Sequence, residues 1–218
     1  VETAVTAPAW LTGVRPAFDA GPPRWFTQYR APTAPRRRSA VLMLFGDDLD
    51  GPEVVLTERA ADLSAHASQV VFPGGHLDPG EDPHGAALRE AEEEAGVEPD
   101  SVEVVADLPE LYLHPSGNAV TPVLAWWHRP HDLRVVDQRE VARVSRAPLE
   151  EILDPANRFS VSIPGTDYRG PGFVVDGLFV WGFTAALLDA VLTLAGLTRP
   201  WDESAERPLP GHLLSPYL

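Results

Sequence analysis

The chain has 218 residues, 44% of them hydrophobic, with a formal net charge of -15, which suits one folded domain with extensions. It contains no cysteine, and its 17 basic residues are all arginine, which excludes disulfides, thiolate nucleophiles, cysteine-bound metal centres, Schiff-base lysines and a lysine-bearing phosphate loop. So acidic a chain repels polyanions, so nucleic acid is not an expected partner, and no apolar run reaches the roughly eighteen residues that span a bilayer.

Residues 1–38 are rich in proline, with Trp10, Phe18, Trp25 and Phe26 between the prolines. They read as an arm that packs by its aromatics without forming a domain. The opening VETAVTAPAW lacks a basic-then-apolar signal pattern, and the expected location is cytoplasmic. Arg36-Arg37-Arg38 reads as a strand-edge or linker feature ahead of a phosphate contact.

The folded domain is expected over residues 39–197. AVLMLFG and EVVLTER, separated by DDLDG, have the pattern of a β-hairpin. QVVF stops at Pro73-Gly74-Gly75, which frees the backbone for a tight loop. Asp82 and Pro83 mark a helix start and Gly96 its end, with good helix formers between. VEVVAD, the segment around Tyr112, TPVLAWW and EVARV read as strands, and PLEEILD as a helix. GFVVDGLFVWG reads as a closing hairpin. FTAALLDAVLTLAG reads as an amphipathic helix with Leu187, Leu188, Val191 and Leu194 on one side. Strands alternating with a few helices on a mixed sheet predict an α/β sandwich. The proline-rich tail, residues 198–218, carries Trp201 and Tyr217. Both ends are candidate elements of a homodimer interface.

The chemistry is concentrated between Gly75 and Val97, GHLDPGEDPHGAALREAEEEAGV. Glu90, Glu93 and Glu94 stand at i, i+3 and i+4, so three carboxylates leave one face of a helical turn and can converge on a hard divalent cation. Without a cation they repel one another. Glu92 reads as a solvated charge. His66, His76, His84 and His114 occupy loop-like positions and are not assigned as metal ligands. Trp126 and Trp127 are adjacent in a strand and must face opposite sides, so core packing is the better reading for them.

The spacing G-x5-E-x7-R-E-x-x-E-E-x-G followed by Val97 resembles the signature of the Nudix hydrolases, with Ala91 in a slot that usually holds a larger aliphatic residue. The resemblance implies a Nudix-type α/β/α sandwich around a mixed β-sheet. It also implies a diphosphate hydrolase of small-molecule nucleotides that uses Mg2+ or Mn2+ held by Glu90, Glu93 and Glu94. Arg89 would hold a carboxylate in place, Glu81 would anchor the loop or sit outside the metal ligands, and the general base would be Glu93 or Glu140. The preceding segment, VLTERAADLSAHASQVVFPGG, is similar to L-L-T-x-R-(S/A)-x3-R-x3-G-x3-F-P-G-G, the signature of the coenzyme A pyrophosphatase subgroup. HPSGNAVTPV, APLEEILDPANR and VWGFTAALL extend the likeness over roughly residues 40–195. It implies substrate contacts by Arg59, Phe72, Gly74 and Gly75, and cleavage of coenzyme A to 3′,5′-ADP and 4′-phosphopantetheine. Ser64 stands where that signature has arginine and Ser68 where it has glycine. These departures keep open ADP-ribose or another nucleoside diphosphate derivative as substrate, and a nucleotide-sensing module without hydrolysis as a third reading.

Overall fold

The structure is a computed structural model that describes residues 6–29, 32, 34–48, 51–63, 67–113 and 117–214; Ser64, His66 and His114 lie outside them. In chain order the elements are α1 (Ala9–Thr12), α2 (Val14–Ala20), α3 (Arg24–Gln28), β1 (Arg37–Asp48), β2 (Gly51–Arg59), β3 (Val70–Val71), β4 (Gly74–His76), α4 (Pro83–Ala95), β5 (Val102–Asp107), β6 (Leu111–Leu113), β7 (Asn118–Trp127) and β8 (Val141–Pro148). There follow α5 (Leu149–Leu153), β9 (Arg158–Ser162), β10 (Arg169–Val175), β11 (Leu178–Val180), α6 (Gly182–Leu194), β12 (Glu206–Pro208) and α7 (Gly211–Leu214).

Among the described residues β1 to β8 form one mixed sheet, with β3-β2-β1-β7-β5 as its spine. β1 and β7 run parallel, and the other pairings are antiparallel. The period of two in β1 assigns the two faces. Ala40, Leu42 and Leu44 pack under α4 through Ala86, Ala87, Ala91 and Ala95, all fully buried. Met43 and Phe45 face the other way, against α6 and the N-terminal helices. Small side chains on α4 let its backbone lie close to the sheet, which is why alanine serves at position 91. Trp126 and Trp127 divide between the two cores as strand geometry requires. Leu187, Leu188 and Val191 of α6 are fully buried and Leu194 partly so. The arrangement is an α/β/α sandwich.

The proline-rich N-terminal segment does pack by its aromatics, and it is also helical. Pro8 and Pro23 fall at helix caps and Pro16 within the first turn of α2, where the missing N–H has no intrahelical partner to lose. Trp10 meets Phe45 edge-on at 5.4 Å, and Phe18 meets Phe26 at 4.9 Å. Gly74-Gly75, expected as loop, forms the short strand β4 against β1.

A second sheet, β11-β10-β9-β12, follows the first. Its β10/β11 hairpin turns at Asp176-Gly177, both with positive φ (49° and 72°), the backbone a tight hairpin turn requires. The Asp176 carboxylate accepts from Arg143 and from Ser145 Oγ of β8, which ties the two sheets together. The tail contributes β12, paired with β9. No helix among the described residues is long and apolar enough to cross a membrane.

Candidate active site

Local sequence sets α4. The Asp82 side chain accepts from Gly85 N–H at 2.8 Å, Pro83 occupies the first turn, and Gly96 closes the helix at φ 72°. Gly96 N–H then reaches the Glu92 carbonyl and Val97 N–H the Ala91 carbonyl, at 3.0 and 3.3 Å, satisfying carbonyls that the helix end leaves open. The helix is thereby held in one register, with Glu90, Glu93 and Glu94 toward the loop that precedes it.

Arg89 organises that loop. Its Nε and Nη2 donate to the two oxygens of Glu81 at 3.0 and 3.1 Å, and Nη2 also donates to the His76 carbonyl at 3.0 Å. Its Nη1 donates to Glu90 at 3.0 Å and to Glu93 at 3.2 Å. The bidentate partner is therefore Glu81, outside the helix triad. Hydrogen bonds from Arg89 and then from Asp78 N–H hold the Glu81 carboxyl below its ordinary range, and Arg89 is pushed further toward the charged form. Glu81 behaves as the loop anchor.

Gly75 and Gly74 admit the carboxylates. A Cβ on Gly75 would lie 2.3 Å from the Glu90 carboxyl carbon, so a side chain here would push the Glu90 carboxylate out of its present position. Gly74, at φ 158°, could carry no Cβ without meeting the Ala40 carbonyl at 2.3 Å, and its N–H donates to Glu94 at 3.3 Å. Glu94 is only 3% exposed. Burial pushes its carboxyl up to about 7, opposed by the Gly74 N–H and the nearby charge of Arg59 and reinforced by Glu90 and Glu140. Glu90 is also raised, first by burial and then, against Arg89, by Glu93 and Glu140.

A register shift in the β2/β8 ladder at Glu58/Arg59 places Arg59 opposite Val141, and Ala60 N–H reaches the Glu140 carbonyl at 2.8 Å. A bulge of this kind re-aims side chains, and it brings Arg59 and Glu140 into the field of the helix carboxylates. Arg59 Nε is buried and has no hydrogen-bond partner. Glu93 is the open member of the triad, its side chain 60% exposed against 16% for Glu90. Phe72 is 2% exposed within the core beneath the loop, so it supports Pro73-Gly74 from below.

The structure thus brings together Arg59, Gly74, Gly75, Arg89, Glu90, Glu93, Glu94 and, through its charge, Glu140. Among the described residues no three acidic or histidine side chains converge into a finished metal cage; Glu90 and Glu93 are drawn onto Arg89 and Glu94 onto Gly74. The donor set nevertheless fits a hard cation, because carboxylates that raise one another's proton affinity in a half-buried site are those a divalent ion would discharge. Sequence reasoning missed the backbone donor to Glu94, for which the Gly-Gly pair was the available signal. Of the histidines, His84 Nε2 lies 2.9 Å from Asp107 and His76 Nδ1 lies 2.7 Å from Ser39 Oγ.

The family model for the NUDIX domain matches residues 35–163. The chain is 32% identical to Nudix hydrolase 3 of Caenorhabditis elegans over 67% of its own length and 68% of that protein's. It is 37% identical to the Nudix hydrolase NudL of Citrobacter koseri, described as uncharacterized, over 74% of this chain and 84% of that one. Among solved structures, a C. elegans Ap4A hydrolase binary complex aligns with a TM-score of 0.45 at 26% identity, covering 54% of this chain and 83% of that one.

Proposed function

Because this chain belongs to the Nudix hydrolase family, we propose that it cleaves the diphosphate of coenzyme A or a close derivative, releasing 3′,5′-ADP and 4′-phosphopantetheine. Glu90, Glu93 and Glu94 would hold Mg2+ or Mn2+, which when bound would neutralise the diphosphate and make the attacking water more acidic. Arg89 fixes Glu90 and Glu93 and keeps the Glu81 loop closed on the helix. Arg59, with its buried Nε unpaired beside Glu94, is the protein's own donor for a phosphate oxygen. Glu93, more exposed than Glu90, is the proposed base, and Glu140 is the alternative.

The observation that carries the substrate reading is that the segment resembling the coenzyme A signature is one structure with the glutamate helix. Its Arg59 and Gly74 both act on Glu94. At Ser68 the chain keeps a positive φ of 56°, the conformation that the signature's glycine at this position would supply. Serine there adds a side chain to a backbone conformation of the kind glycine adopts readily.

The test is product analysis with coenzyme A, dephospho-coenzyme A and ADP-ribose, each with Mg2+ and with Mn2+. Coenzyme A is expected to yield 3′,5′-ADP and 4′-phosphopantetheine. Turnover of ADP-ribose with coenzyme A untouched would move the enzyme to another nucleoside diphosphate derivative. Binding of all three without turnover would make it a sensor.

A further inference from the structure

We infer that the cleft between Arg36-Arg37-Arg38 and the His76–Glu81 loop is a second anion subsite, which takes a phosphomonoester on the ribose of the nucleotide whose diphosphate lies at the glutamate helix. This rests on the reading of the glutamate helix as the diphosphate site. The cleft encloses about 570 Å³ and is lined by Pro35, the three arginines, His76, Leu77, Asp78 and Glu81, within the size range of small-ligand sites.

Its position follows from the β1/β4 ladder. Ala40 pairs with Gly75, which touches Glu90, Ser39 pairs with His76, and Leu77 N–H reaches the Arg38 carbonyl at 3.1 Å. At a strand rise of about 3.3 Å per residue, Arg38 and Arg36 stand roughly 7 and 13 Å along the chain from the Ala40–Gly75 pair. That is the reach of a nucleoside beyond its diphosphate. The cleft is therefore continuous with the diphosphate site through β4, at a separation that keeps the two apart.

Charge decides what it takes. Glu81 is already held by Arg89, and Arg38 lies 3.5 Å from Glu110. Among the described residues Arg36 and Arg37 form no ion pair, so with Glu81 held by Arg89 the lining carries two uncommitted guanidinium groups and one uncommitted carboxylate, Asp78, in a chain of net charge -15. A monoester dianion presents the oxygens that arginine binds in pairs, and a neutral group does not repay the desolvation of two free guanidiniums. Arg36 is also steadied by packing. Gly117, at φ 67°, leaves the space that the Arg36 chain fills, since a Cβ there would lie 3.0 Å from Arg36 Cδ. His76 spends Nδ1 on Ser39 Oγ and leaves Nε2 for a ligand. These groups supply the cation that Ser64 withholds at the corresponding signature arginine.

The experiment is titration calorimetry of the full chain with 3′,5′-ADP and with 5′-AMP, which differ by one phosphomonoester, comparing wild type with the Arg36→Ala/Arg37→Ala double variant. The wild type is expected to bind 3′,5′-ADP about tenfold or more tighter than 5′-AMP, as loss of a charged hydrogen bond implies, and the double variant to bring that ratio close to one. A wild-type ratio near one, a ratio that survives in the variant, or an equal loss for both ligands overturns the subsite. Because binding is read without turnover, the two readings fail separately. An intact ratio with coenzyme A uncleaved sinks the substrate proposal alone, and coenzyme A cleavage without the ratio sinks the subsite alone.

Discussion

Glu94 is the residue on which the site's electrostatics turn. Its carboxyl is raised from the ordinary 4.5 to about 7 by burial, so between those values the native state binds a proton that the unfolded chain releases. The stability this contributes is fully present below pH 4.5 and is lost as pH rises through 7. At pH 8 the metal-free protein therefore carries a buried carboxylate whose cost is on the order of 3 kcal/mol. Glu94→Gln removes it. In chelator-treated protein, urea denaturation should show the variant more stable than wild type at pH 8 by that order and close to it at pH 4.5. The same variant should lose turnover. A stability difference that does not change with pH would mean that Glu94 is charged at no cost, and retained hydrolysis would remove it from the proposed ligands.

At the scale of elements, the site depends on how the strand-to-loop segment meets α4. Gly74 and Gly75 pair with β1 and simultaneously accept Glu94 and Glu90 against their backbone. Ser68, in the turn between β2 and β3, holds a left-handed conformation at φ 56°, where a Cβ costs about 1 kcal/mol. Its N–H bonds to the Arg59 carbonyl at 3.1 Å, so the turn fixes the end of β2 from which Arg59 projects. Ser68→Gly should stabilise the protein by about 0.5–1 kcal/mol in equilibrium denaturation and leave the reaction's products unchanged. Destabilisation by glycine would show that the serine side chain does something the backbone conformation does not require.

Across the whole molecule, the tail and the second sheet are joined to the domain through Arg158. The residue is 3% exposed, ion-paired with Asp189 of α6, and lies between the rings of Phe173 at 5.0 Å and Trp201 at 4.9 Å. Its Nε and Nη1 have no hydrogen-bond partner, so the aromatic faces carry more of its stabilisation than they would at the surface. Removing the indole by Trp201→Ala forfeits a contact of about 2 kcal/mol but admits water to the two open donors. The expected net loss is about 1 kcal/mol, read as a fall in the denaturation midpoint. No change would mean that the tail rests on the domain without supporting it.

The helix with its carboxylates was legible in the sequence because everything that makes it is local. Asp82 and Gly96 mark its ends within one turn, and the spacing of Glu90, Glu93 and Glu94 places them on one face whatever the rest of the chain does. Most of the strands and α6 were legible by periodicity for the same reason, whereas β4, β9 and β12, short and made by pairing, were not. The N-terminal helices were not, since prolines at caps and in a first turn resemble prolines in a loop until the backbone is seen. Nor was Phe72, whose place in a motif says nothing about which face of the sheet it meets. The donation from Gly74 to Glu94, the contact of Gly75 with Glu90 and the cleft beside Arg36 and Arg37 join residues far apart in the chain. Spacing determined the cluster of carboxylates on the helix, while strand pairing decided which glycines and arginines of distant segments stand beside them, because register between distant segments is set by packing and not by local propensity.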